Sequence, residues 1–147
     1  MWALEEDRRW AMRREVFPDL SADTVIFCNF NQLYKIDPFI FSRWLDILKA
    51  VPNSILWLLR FPAAGESCLK QTAERWAGPE IASRVVFTDV ASKDLHVLRG
   101  RVADLFLDTT ECNAHTTAAE YVLRSSSPRV WLTRGPRTAS CGLALRS

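Results

Sequence analysis

Four short apolar runs recur along the chain, and polar stretches with helical spacing separate them. The runs are "TVIFCNF" (Thr24 to Phe30), "SILWLLR" (Ser54 to Arg60), "RVVFTDV" (Arg84 to Val90) and "ADLFLDT" (Ala103 to Thr109). Their apolar residues are nearly continuous, which suits strands covered on both faces. Between them the period changes. After the first run, Ile40, Trp44, Ile47, Leu48 and Val51 form one helical stripe, with Asp37 placed to cap it, Pro38 at its first position and Pro52–Asn53 to end it. "ESCLKQTAERWAG" predicts a second crossover helix with Leu69, Ala73 and Trp76 inward and Gly78 as its stop. "SKDLHVLRGR" predicts a short third helix capped by Ser92, and a further helix is expected to begin near His115. A charged helix to about Val16, closed off by "FPDLSAD", precedes the whole series.

Strands alternating with helices imply right-handed crossovers and a parallel sheet with helices on both faces, an α/β Rossmann-like arrangement. Open parallel sheets bind ligands beyond the carboxyl ends of their strands, so three segments become the places to search. These are "NQLYK" after the first strand, "DVASKDLH" after the third and "TTECNAHTT" after the fourth.

Composition narrows the setting. With 147 residues, 48% hydrophobic and 24% charged, the chain has the makings of one ordinary globular core. A net charge of +2 is too small to recruit nucleic acid or an anionic membrane through bulk electrostatics. The charge is unevenly placed, however. Residues 122–147 carry five arginines and no acidic residue, which from a whole-chain +2 leaves −3 on everything before them. The four cysteines are scattered, with no C-x-x-C pair and no zinc-site spacing, which favours reduced thiols in the cytoplasm or nucleus. The N-terminus is too densely charged for a secretory signal, and no apolar run approaches the length of a membrane span.

On the rim, "HTT" at a helix start would aim free backbone N–H groups and the hydroxyls of Thr116 and Thr117 at an anion, with His115 beside them. Taken alone, the threonines read more readily as ordinary helix caps than as a phosphate site. Lys35 could bring a point charge to the same anion, although a lysine at a loop tip is commonly just solvated. Lys93 and His96 share one face of their helix and could meet a base and sugar, although a surface lysine and histidine on a short helix are more commonly just solvated. Together the three segments point to a nucleotide-type ligand. The chain has no G-x-G-x-x-G, no G-x-x-x-x-G-K-[ST] and no aspartate pair set to hold a metal against a diphosphate. Lysine and a helix N-terminus would then have to neutralise the anion, so metal-free chemistry without a cofactor is expected.

The motifs "CNFNQLYKIDP", "VPNSILWLLRFPA", "VASKDLH" followed by "RG", and "LDT..CNAHTT" closely resemble, in order and spacing, the C-terminal catalytic lobe of the O-linked N-acetylglucosamine transferases, most like their fungal members. The resemblance runs from about Asp23 to Glu120. It implies part of a GT-B glycosyltransferase fold and an inverting, metal-independent transfer of N-acetylglucosamine from UDP-N-acetylglucosamine to Ser and Thr of proteins. Carried over by motif, Gln32 and Lys35 would touch the donor, and Lys35 would be the catalytic cation on the leaving phosphate. Ala91, Lys93 and His96 would bind uracil and its nucleoside, and Arg99 would support that helix or reach the ligand. Cys112 would face the donor sugar, and His115, Thr116 and Thr117 would hold the diphosphate. Glu120 stands where the family usually has an aspartate on the ribose hydroxyls. It keeps the carboxylate on a side chain one methylene longer.

The resemblance also implies a division into a helical lead-in (1–22), an incomplete UDP-sugar-binding lobe (23–121) and a basic tail (122–147) lying outside the family domain. The tail's Arg, Ser and Pro bias suggests a shifted frame or retained intron. The family's other catalytic lobe and its tetratricopeptide repeats would complete the enzyme, acting on acceptor proteins in cytoplasm and nucleus. The alternative is a non-catalytic UDP-binding module, with nucleic-acid binding a distant third.

Overall fold

The computed structural model describes residues 2–109 and 129–131. The order is α1 (Trp2–Val16), β1 (Val25–Asn29), a single 3-10 turn (Leu33–Lys35), α2 (Pro38–Ala50), β2 (Ser54–Leu59), α3 (Ala64–Ala77), α4 (Pro79–Ser83), β3 (Val85–Thr88), α5 (Lys93–Val102), β4 (Leu105–Leu107) and β5 (Arg129–Trp131). All strand pairs are parallel, in the order β3-β2-β1-β4-β5. The chain builds outward from β1 to β3, then α5 carries it back to the other side of β1. The direction reverses between β1 and β4, which is where doubly wound sheets open a crevice.

Side chains along each strand alternate between two cores, as the pleat requires. Phe27, Leu56, Leu58, Val85, Phe87 and Leu107 pack on one face with Ile40, Trp44, Leu45 and Leu48 of α2 and Ala73 of α3. Ile26, Cys28, Ile55, Trp57, Leu59 and Phe106 pack on the other, under Met12, Val16 and Phe17 and beside Val102 at the end of α5. Strands covered on both sides have no solvent face, which is why the four runs read as continuous rather than alternating.

Local signals set most helix ends. Asp37 accepts a hydrogen bond from the Ile40 N–H at 2.9 Å with Pro38 in the first turn, and Gly78 leaves α3 at φ 89°, a backbone conformation that glycine adopts without strain. Two expectations are corrected. Trp76 is 45% exposed, touching Phe41 with ring centroids 6.3 Å apart. The inward stripe of α3 is instead Leu69, Ala73 and Ala77, an i, i+4, i+8 row that leaves Trp76 on its flank. Ser92 is the N-cap of α5, but its side chain makes no capping hydrogen bond.

The second half of α1 is joined to the sheet through Asp104. Its carboxylate pairs with Arg9 and Arg13 and accepts the Ile26 N–H at 2.8 Å. Arg13, almost fully buried, also donates to the Thr24 carbonyl. Four strands were expected. A fifth, Arg129–Trp131, pairs with Leu105–Leu107 and comes from the segment set apart as a basic tail. The helix expected near His115 lies outside the described residues. Among the described residues no helix is long and apolar enough to cross a membrane.

Candidate sugar-nucleotide site

At the carboxyl edge of the sheet, β1 ends in Asn29, which is fully buried. Its carboxamide donates to the Leu107 carbonyl at 2.6 Å, and its Oδ1 accepts the Asn31 N–H at 3.0 Å. A buried amide among apolar neighbours must find such partners. Here it joins β1 to β4 across the point of reversal and fixes the start of the following turn. Across the gap, Asp108 accepts the Thr109 N–H at 2.8 Å, and both residues are buried.

The turn that follows carries the first predicted site residues. Gln32 stands immediately before the 3-10 turn, its carbonyl accepting the Lys35 N–H at 3.0 Å. Leu33 is the anchor. It is buried, its N–H donates to the Phe61 carbonyl at 2.8 Å, and a Cβ placed on Gly65 would come within 2.9 Å of its Cδ1. A glycine at this position is what lets the start of α3 close over Leu33. With Leu33 pinned, Gln32 and Lys35 are held half-buried at the rim. Among the described residues no carboxylate pairs with the Lys35 ammonium, and the Gln32 carboxamide makes no hydrogen bond.

The second rim segment joins β3 to α5. Ala91 is half-buried and Lys93 exposed at the helix start. His96, one turn on, lies with its ring 5.4 Å from that of Phe30, at 53°. Phe30 is the residue after β1, so α5 brings its histidine to the same edge as Gln32 and Lys35, although β3 itself is two strands away. Arg99 donates to the Asp89 carbonyl at 2.6 Å, joining α5 to the loop that leads into it. Cys112, His115, Thr116, Thr117 and Glu120 lie outside the described residues, as does the anion-binding motif they were read to form.

Four residues escaped the sequence reading: Asn29, Asn31, Arg60 and Asp89. Arg60 pairs with Glu66 and with Asp89, the latter at 2.7 Å, and Lys70 pairs with Glu66 at 2.8 Å. Hydrogen bonds from Arg60 and then Lys70 hold the Glu66 carboxyl below its ordinary value, and Glu66 and Asp89 in turn raise the Arg60 guanidinium. An asparagine in an apolar strand, and opposite charges at the ends of consecutive strands, were the available signals.

The sequence profile described as glycosyl transferase family 41 matches residues 10–144, running on through the segment set apart as a tail. The chain is 52% identical over 112 residues to a Caenorhabditis elegans protein named UDP-N-acetylglucosamine--peptide N-acetylglucosaminyltransferase, covering 76% of this chain and 9% of that protein. An Arabidopsis thaliana protein given the same name with the qualifier "probable" is 49% identical over 114 residues, 77% of this chain and 11% of its own length. Among solved structures, a mutant O-GlcNAc transferase of Thermobaculum terrenum superposes with a TM-score of 0.63 at 25% identity, covering 77% of this chain and 22% of that one. The chain thus spans about a tenth of the curated relatives it matches. A parallel sheet reversing between β1 and β4, and a profile match over nearly the whole length, establish that this chain belongs to glycosyl transferase family 41.

Proposed function

We propose that these residues are the donor-binding part of a transferase that moves N-acetylglucosamine from UDP-N-acetylglucosamine to Ser and Thr side chains of proteins. The observation that carries this is the rim itself: a half-buried lysine and a carboxamide, neither with a described partner, on one pinned turn beside the point of strand reversal. A cation held ready in this way lowers the energy of charge developing on a leaving diphosphate, because little reorganisation is needed when the bond breaks. Lys35 takes that role, Gln32 binds the donor beside it, and Ala91, Lys93 and His96 bind the nucleoside. His115, Thr116 and Thr117 supply N–H and hydroxyl donors to the diphosphate, Cys112 faces the sugar, and Glu120 meets the ribose. Positive charge comes from the protein, so the reaction takes no metal and no cofactor. Chain beyond these residues supplies the opposite wall of the cleft and the acceptor-protein contacts, and the enzyme works in cytoplasm and nucleus.

The test is an amide NMR titration of the 147-residue chain with UDP in EDTA, alongside Lys35→Ala. Peaks of the Gln32–Lys35 turn and of the start of α5 are expected to shift with UDP. The variant should bind about tenfold or more weakly, as expected when one charge-assisted contact to an anion is lost. Peaks that do not move, or equal affinity in the variant, would overturn the proposal.

A further inference from the structure

The carboxyl end of β2 has no place in the donor site just proposed, yet it touches both segments that do. Residues 60 and 61 are adjacent, and each holds one of them. The Phe61 carbonyl accepts the Leu33 N–H at 2.8 Å and so fixes the turn carrying Gln32 and Lys35. The Arg60 guanidinium bonds to Asp89 Oδ1 at 2.7 Å, at the head of the loop carrying Ala91 and leading to Lys93. Arg60 and Asp89 lie one step beyond the paired Leu59 and Thr88, so the strand register itself brings them together.

Asp89 is held twice, and the residue before it is held as well. Arg60 takes its carboxylate, Arg99 donates to its carbonyl at 2.6 Å, and the preceding Thr88 carbonyl accepts the Arg60 N–H at 2.8 Å. Thr88 is held further by its hydroxyl, which accepts the Trp57 Nε1–H at 2.8 Å. Glu66, in the first turn of α3, orients the other side of the Arg60 fork. The loop after Asp89 has little of its own to hold it: Val90 is 56% exposed and Ser92 makes no side-chain cap.

We propose that Arg60 and Asp89 are positioning residues that set the spacing between the diphosphate-binding turn and the base-binding loop, making the site selective for a ligand that spans both, a nucleoside diphosphate. This rests on the donor-site assignment above. Neither residue touches the ligand. Their contribution is the gain a two-ended ligand obtains when its second end binds at a fixed distance from the first. Loss of the link therefore weakens a spanning ligand and spares one that occupies only the diphosphate end.

The experiment measures affinities of the 147-residue chain and of Arg60→Gln, Asp89→Asn and the double variant for UDP and for inorganic pyrophosphate by calorimetry. The Asp89 side chain is 78% exposed, so its conversion to the isosteric amide leaves the core untouched and keeps the test valid if Arg60→Gln folds poorly. Expected is a loss of up to about fivefold for UDP in either single variant, no further loss in the double variant, and pyrophosphate affinity unchanged within about 1.5-fold. Arg60→Lys should recover part of the UDP affinity, because the charge remains but the two-way fork is lost. UDP affinity unchanged in both single variants, or UDP and pyrophosphate weakening in step, overturns the positioning role alone. A parent chain that binds no UDP overturns the donor-site assignment and the positioning role with it.

Discussion

Single side chains in this chain do chemistry that their surroundings select. Cys28 and Cys68 are the same residue type in opposite circumstances. Burial within the second core, reinforced by the negative charge of Asp104, pushes the Cys28 thiol far above its ordinary range, whereas Cys68 is exposed on α3. A thiol reacts as its thiolate, so alkylation in native buffer should modify Cys68 and leave Cys28 untouched until denaturant is added. Peptide mass mapping of iodoacetamide-treated protein reads this directly, and native labelling of Cys28 would contradict the packing described. Lys35 shows how far a single residue is legible. Its type and its place after an apolar strand mark it as a candidate cation, but its half-burial and want of a described partner arise from the way Leu33 is pinned between Phe61 and Gly65. Those contacts are made by residues about thirty positions away.

At the scale of elements, signals acting over three or four residues were readable. Asp37 and Pro38 start α2 as the pattern predicts, because a cap needs only a side-chain oxygen and a free N–H one turn on. Asp37→Ala should therefore lower stability by about 1 kcal/mol, measured as a urea midpoint shift at constant slope. A shift near zero would mean that burial of Ile40, Phe41 and Trp44 alone sets the helix start. The shortest elements were not foreseen. The 3-10 turn at Leu33–Lys35 and the five-residue α4 at Pro79–Ser83 are too brief for a periodicity to show. The strand Arg129–Trp131 is three residues in an arginine-rich stretch, too short for an alternating or continuous apolar pattern to show. The spacing predicts Trp76 inward, but the stripe that packs on the sheet is Leu69, Ala73 and Ala77, which leaves the indole on its exposed flank.

At the scale of the molecule, charges at the sheet's carboxyl edge link elements that are distant in sequence. Glu66 in α3 accepts from Arg60 after β2 and from Lys70 in the next turn. These bonds keep its carboxyl below the ordinary 4.5 in the folded chain. The unfolded chain thus holds that proton more tightly, and the pair's contribution is complete above about pH 4.5 and fades as pH falls through the lower folded value. Thermal melts of the parent and Glu66→Gln should differ by about 2–4 °C at pH 7, consistent with a largely solvent-screened pair, and converge in strong acid. A difference that persists unchanged at low pH would assign the effect to packing instead. By itself the sequence determined the α/β class, four strands, the helix caps at Asp37 and Gly78, and which segments leave the strands at their carboxyl ends. All of these depend on neighbours within a turn or on the burial of a short apolar run. Only the tertiary structure decided that His96 would reach Phe30 from a strand two places away, that Arg99 would grip Asp89, that Asn29 would close the gap to β4, and that Arg60 would bridge two loops. Those partners meet through parallel register and crossover packing, and the distance along the chain between them is spanned by helices whose own spacing carries no record of where they will dock.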